Sequence, residues 1–282
     1  MKPVFANIPP MYKQSIQSFF ALLMVSGLIW GCGSGNQGTE TATAEEPAAT
    51  SSSITVTPLE GSPAFEGATL SLKSADAGEE GSYNFDFQVD NYELGAQTSA
   101  NLGLANSGKG QHIHFIVDNG PYSAHYDPSF STDKLSEPGN HVVLAFLSRS
   151  YHESVKNLEG AATSYVITQF QTGDEKVEGA DFEAPHMFYS RPKGTYKGDD
   201  TKKLLLDFFL LNVDLSEDGY KVRATINGEE FMLTKWQPYV IEGLEMGEVS
   251  IKLELMDAAG QNVPGPFNTV ERTVTLAQAE EA

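Results

Sequence analysis

Between residues 83 and 90 the chain reads YNFDFQVD, with Phe85, Phe87 and Val89 alternating with Asn84, Asp86 and Gln88. The run EVSIKLEL (248–255) alternates Val249, Ile251, Leu253 and Leu255 with Ser250, Lys252 and Glu254. A period of two over such lengths predicts strands with one buried face. VRATINGEEFML (222–233) sets Asn227-Gly228 between two alternating runs. Those residue types reach positive φ readily, so a two-residue hairpin is predicted there. No stretch carries the 3.6-residue period of a long amphipathic helix.

The pattern occurs twice. YNFDFQVDN (83–91) matches LLLDFFLLN (204–212), HIHFIVDNG (112–120) matches KVRATINGE (221–229), and LSEPGNHVVLAFLS (135–148) matches LEMGEVSIKLEL (244–255). Each copy closes on a β-rich run, TSYVITQF (163–170) and ERTVTL (271–276). Short strands in one repeated order predict an all-β chain of two tandem immunoglobulin-like β-sandwiches, 54–173 and 188–282, joined by a linker at 174–187.

The first 53 residues are different. FFALLMVSGLIW (19–30) is an apolar run too short for a bilayer span, preceded by Lys2 and Lys13 and no acidic residue. That is the layout of a secretory signal, residues 1–31, with Met11 as a second possible start. LIWGC resembles the bacterial lipobox and ends on Cys32, the one cysteine of the chain. The resemblance implies cleavage before Cys32, lipidation of that residue and a membrane-tethered protein. Residues 32–53 hold no aromatic or bulky aliphatic side chain and read as a disordered tether. The charge is −20, with 18 Lys+Arg against 38 Asp+Glu, which opposes nucleic-acid binding.

Five of the six histidines fall in 112–152, namely His112, His114, His125, His141 and His152; the sixth, His186, lies in the linker. On a strand, His112 and His114 share one face, and Ile113, Phe115 and Val117 share the other. In the repeat, Lys221 and Arg223 stand over the two histidines, which predicts that this face is the outer one. The same comparison sets Val142, Leu144 and Phe146 over Val249, Ile251 and Leu253, pointing inward, with His141 outward. Val143, Ala145 and Leu147 then form an apolar outward row that something must cover. The cover is the insertion 93–110, the other sandwich through its own row Leu205, Phe209 and Leu211, or a partner. His112, His114 and His141 make a candidate Zn²⁺ or Cu²⁺ site, and His125 and His152 candidate additions to a metal or ligand site. The alternative is that these are hydrogen-bonded structural or partner-contacting histidines. No other cofactor is called for.

FLSRSYHES (146–154) places Arg149 at a strand end as a candidate anion-binding residue, the alternative being an arginine paired with the acidic surface. No Gly-x-Ser-x-Gly elbow, phosphate loop or dinucleotide fingerprint occurs, so a non-enzymatic binding or structural module is expected.

The run GQHIHFIVDNGPYSAHY, LSEPGNHVVLAFLSRSYHES, YSRPKGTY, TKWQPYVIEGL and VERTV resembles an uncharacterised family of secreted Bacteroidetes-type lipoproteins. The resemblance implies tandem Ig-like domains and a lipid-anchored place in the bacterial envelope, at the outer membrane, facing periplasm or surface. The expected partners are the membrane, through the lipid on Cys32, and an unknown envelope protein or glycan. Some members are labelled phosphopeptide-binding. SRSYH (148–152) is similar to the Ser-Arg-x-His loop of forkhead-associated domains, with one residue more, and the label implies a phosphate contact at Arg149.

Overall fold

The computed structural model describes residues 54–157, 163–173 and 179–279. The expected signal peptide (1–31), the lipidation site Cys32 and the tether (32–53) lie outside the described residues.

The strands, in chain order, are β1 (Thr55–Pro58), β2 (Thr69–Ala77), β3 (Tyr83–Asp90), β4 (His112–Val117), β5 (Ser123–His125), β6 (Ser129–Thr132), β7 (Gly139–Ser148) and β8 (Tyr165–Thr172). They continue as β9 (His186–Arg191), β10 (Thr195–Lys197), β11 (Leu204–Leu211), β12 (Lys221–Ile226), β13 (Glu229–Leu233), β14 (Tyr239–Glu242), β15 (Gly247–Met256) and β16 (Thr269–Ala277). The described residues are nearly all-β, as the periodicity predicts, with two short 3-10 turns at Glu79–Gly81 and Gly198–Thr201. A first sandwich stacks the sheet β2-β3-β6 on β5-β4-β7-β8, and a second stacks β1-β14-β11-β9 on β10-β16-β15-β12-β13. Phe85, Phe87, Ile113, Phe115, Val143, Ala145 and Leu147 fill the first core; Leu206, Phe208, Val222, Ala224, Ile251 and Leu253 belong to the second.

Asn227 and Gly228 both take positive φ, 48° and 90°, in the expected hairpin. Two boundaries differ from expectation. Thr55–Pro58, expected in the first sandwich, pairs antiparallel with β14 of the second. His186, expected in the linker, already opens β9 against β11.

The larger correction concerns β7. Its partner β4 sets Ile113 opposite Leu147, Phe115 opposite Ala145 and Val117 opposite Val143. Cross-strand partners share a face, so Val143, Ala145 and Leu147 point into the core, while Val142, Leu144 and Phe146 point out. His141 therefore shares the inward parity and lies on the face opposite to His112 and His114. The correct overlay sets Val142 on Ser250. Asp118 Oδ1 accepts the Val142 N–H at 2.8 Å, just as Asn227 Oδ1 accepts that of Ser250 at 2.9 Å. A slip of one residue exchanges every side chain between faces.

The outward apolar row is Val142, Leu144 and Phe146 in place of the expected Val143, Ala145 and Leu147, and the other sandwich covers it. Ile116, Tyr122, Val142, Leu144 and Phe146 form one cluster with Phe188, Phe209, Leu211 and Phe267. Phe146 stacks on Phe209 at 5.4 Å between ring centroids, and Trp236 meets Phe209 edge-on at 5.1 Å. Leu205 joins Val240, Tyr151, Leu104 and Leu59 in a second cluster at the seam. Each such buried Phe or Leu contributes about 1.5–3 kcal/mol. Polar contacts fix the angle. Asn119 Nδ2 donates to the Met187 and Phe267 carbonyls, and its Oδ1 accepts the Tyr189 N–H at 2.8 Å. Lys156 Nζ lies 2.7 Å from the fully buried Asp207 carboxylate.

Candidate metal centre at the seam

His112 and His114 stand on the outer face of β4, as alternation requires, yet both are fully buried, because the second sandwich and the loops roof that face. Their Nε2 atoms are 3.0 Å apart. His152 Nδ1 lies 3.1 Å from His112 Nε2. One nitrogen from each ring falls within 4.8 Å of the others. A tetrahedral Zn²⁺ with its ordinary Zn–N bonds separates ligand nitrogens by about 3.3 Å, so the spacing suits a metal.

Two of the rings, His112 and His114, are oriented from behind. His112 Nδ1 lies 2.8 Å from the Gly110 carbonyl, which fixes Nδ1 as the donor and leaves the Nε2 lone pair toward the cluster. Gly110 holds φ +85°, and a Cβ there would strike the Gly95 and Ala96 carbonyl oxygens. His114 Nδ1 lies 3.2 Å from Ser190 Oγ on β9, so the second sandwich steadies a ring of the first. Ser148 Oγ is 3.2 Å from His114 Nε2. Tyr122 stacks on His114 at 3.5 Å between centroids, and its hydroxyl is 3.3 Å from His152 Nδ1.

His152 arrives by a different route. The loop after β7 has the same backbone hydrogen bonds as the loop after β15. Arg149 N–H donates to the Glu153 carbonyl and His152 N–H to that of Arg149; Asp257 and Gly260 repeat both bonds with Gln261 and Asp257. His152 thus occupies the position of Gly260. Their φ values are 74° and 76°. Glycine is the ordinary residue for that conformation, and a side chain there costs about 1 kcal/mol.

Desolvation, which disfavours the charged form, lowers all three pKa values. His112 falls to about 4, and His114 and His152 go further down, with the charge of Arg191 adding to the effect on each. The rings are neutral near pH 7, the protonation state in which imidazole binds a metal.

The other expected site residues lie elsewhere. His141 Nδ1 is 2.6 Å from Asp118 Oδ2 and its Nε2 is 2.9 Å from the Glu137 carbonyl. Desolvation opposes its charge, but the Asp118 and Glu137 bonds outweigh it and raise its pKa. His125 stacks on Phe130 at 3.4 Å and bonds Ser123 Oγ at 2.9 Å. It is paired with Ile113 and so takes the opposite face from His112. His186 Nε2 bonds the Asp181 carbonyl. Arg149 is a buried structural arginine: it pairs with Glu153 at 3.0 Å and donates to the Pro63 and Ser154 carbonyls. That geometry engages its guanidinium within the fold.

The sequence reading left His152 unplaced and did not single out Tyr122 or Ser190. The repeat as read from the sequence sets His152 on Ala259; only the register given by the Asp118 and Asn227 bonds moves it onto Gly260.

No protein-family model and no curated protein matches the chain. Among solved structures it is similar to fibronectin(III)-like modules of CbhA from Clostridium thermocellum, at 15% identity and a TM-score of 0.26, over 33% of this chain and 99% of that one. It is similar to a Ca²⁺-stabilized adhesin with which an Antarctic bacterium binds ice, at 14% identity and a TM-score of 0.21, over 79% of this chain and 51% of that one. A third is SGBP-B of the Bacteroides ovatus mixed-linkage glucan utilization locus, in complex with a heptasaccharide, at 9% identity and a TM-score of 0.21, over 80% of this chain and 64% of that one. At these scores the likeness is to β-sandwich modules in general.

Proposed function

We propose that the chain is a lipid-anchored binding module of a bacterial cell envelope whose first sandwich holds one Zn²⁺ or Cu²⁺ ion on His112, His114 and His152. The observation that carries this reading is the third ligand. His152 keeps a left-handed backbone, φ 74°, where the second copy has Gly260, and so brings Nδ1 to 3.1 Å from His112 Nε2. A position that glycine fills at no steric cost holds a histidine whose ring completes a cluster of neutral nitrogens. Imidazole sets of this kind suit zinc and copper. The role is binding, with an envelope protein or glycan as partner.

The anchor rests on the apolar run at 19–30, the basic residues before it and the sole cysteine directly after it. The acidic balance, −20, fits a soluble module held off an anionic surface.

Calorimetric titration of Zn²⁺ and of Cu²⁺ into the full chain near neutral pH tests the metal. One ion per chain is expected, with binding lost in the His112→Ala, His114→Ala double variant. Equal stoichiometry and affinity in that variant would sink the assignment. For the anchor, Cys32→Ala is expected to move the protein from the membrane to the soluble fraction.

A further inference from the structure

Away from the histidines, the crossover from β1 to β2 and the segment after β3 enclose an open groove of about 720 Å³, within the ordinary range for a small-molecule site. Its lining comes from Pro63, Ala64 and Phe65 of the crossover, and from the segment between Asn91 and Ser99 with Gln111 beside it. Both sides are held from within the fold. Arg149 Nη2 donates to the Pro63 carbonyl at 2.6 Å, and Asn157 Nδ2 to that of Phe65 at 2.6 Å. Gln111 Nε2 donates to the Glu93 carbonyl at 2.7 Å. The Gly95 N–H donates to the Gln111 carbonyl at 2.8 Å, and the Gln111 N–H to that of Ala96 at 2.7 Å. The groove is thus preformed, and these backbone groups are already engaged.

The side chains that meet it are of two kinds. Phe65 and Tyr92, half-buried and edge-on at 4.8 Å between centroids, supply apolar surface. The Tyr92 hydroxyl is buried, so that side chain meets the groove with carbon alone. Asn91, Glu93 and Ser99 are exposed. Asn91 Nδ2 donates to the Gly67 carbonyl at 2.9 Å, which leaves its Oδ1 to accept. Among the described residues no lysine or arginine lines the groove, and none lies within ion-pair distance of Glu93.

This chemistry selects among ligands. A bound peptide strand pairs with open backbone donors and acceptors, and those named above are taken. A phosphate or carboxylate calls for a cation, and the lining has none. A sugar ring needs carbon surface for its C–H face and side-chain acceptors for its hydroxyls, and the groove has both. We infer that this groove binds a neutral or amino-substituted oligosaccharide, with Asn91, Glu93 and Ser99 on its hydroxyls and Phe65 and Tyr92 against its carbon face. This rests on the reading of the chain as an envelope binding module, and it gives the glycan partner a site and a charge class. None of the three clustered histidines lines the groove, so the two sites are separate.

The full chain is applied to a glycan array carrying neutral, amino and acidic oligosaccharides, beside an array of unmodified peptides. Retention on neutral or amino saccharides is expected, and none on uronate-rich ones, because Glu93 repels them. For the saccharide retained most strongly, Glu93→Ala is expected to weaken affinity by about tenfold. Ala64→Trp, at an exposed lining position, is expected to abolish binding by filling the groove. Both positions are exposed, so the unfolding midpoints should match that of the unaltered chain. Retention on no saccharide, on acidic saccharides alone or on peptides alone overturns this inference, and the metal titration still decides the metal reading by itself. Saccharide binding that survives both variants overturns the groove as the site and leaves the binding-module reading standing.

Discussion

On β12 and β15 the outward residues Lys221, Arg223, Ser250, Lys252 and Glu254 form a surface of charges. Arg223 Nη2 and Lys252 Nζ each lie 2.8 Å from a Glu254 oxygen. At the matching positions of β4 and β7 stand His112, His114, Val142, Leu144 and Phe146, all buried at the seam. The loop that follows carries Gly260 in one copy and His152 in the other, with one backbone conformation. Two sandwiches of like topology have thus put one face to opposite uses. Ion pairs give the second copy a polar, half-buried face, in which Arg223 and Lys252 close over the buried Glu254. An apolar row gives the first copy's face a partner, and burial under that partner keeps its imidazoles neutral. The clustering of the three rings follows from domain docking as much as from the histidines themselves.

Giving the first face the second copy's chemistry breaks this contrast most severely. Phe146→Glu, the residue at the Glu254 position, removes the stack on Phe209 and leaves a buried unpaired carboxylate. A loss of about 4 kcal/mol or more is expected, read as a lowered unfolding midpoint. An unchanged midpoint would mean that the seam does not hold the sandwiches together.

Acid acts next. His112 has its pKa lowered from 6.5 to about 4 in the folded chain, so between those values the unfolded chain binds the extra proton. Its contribution is present above pH 6.5 and is lost as pH falls, by about 3 kcal/mol once below about pH 4. His141, with a raised pKa, acts in the opposite sense: its contribution is full below its unfolded value and fades as pH rises through the folded one. Urea midpoints of the metal-free chain across this window, compared with His112→Asn, isolate the first effect. Equal acid sensitivity in the two proteins would contradict it.

The smallest effects come from exchanging the loop residues. Gly260→His should destabilise by about 1 kcal/mol through its φ of 76° alone, since nothing lies within 4 Å of a Cβ there. His152→Gly should change stability by less than about 1 kcal/mol, because relief of strain offsets lost packing. Its metal affinity should nevertheless fall by about 100-fold or more. A parallel fall of stability and affinity in His152→Gly would mark the ring as a packing element.

The strands were legible where polarity alternates. YNFDFQVD and EVSIKLEL became β3 and β15 because each has one dry and one wet face. GNHVVLAFLS gave away its strand but not its facing, since both faces are apolar and a period of two leaves no mark. The repeat was then read one residue out of step, and His141 was assigned to the wrong face. On β4 the polar-apolar contrast survived, so His112 and His114 were placed on the correct face. That the same face is buried could not be read from β4 alone, because its cover comes from strands some 75 to 100 residues further on.

Local pattern therefore determined the all-β class, the repeat and the pairing of His112 with His114 on one side of a strand. These follow from alternation and turn chemistry within a few residues. Tertiary structure decided the rest. The register of β7 on β4 chose which apolar row faces the second sandwich. A left-handed loop conformation brought in His152, and docking buried the three rings. Those outcomes depend on contacts between distant segments, whose side chains acquire a shared environment only once the chain has folded.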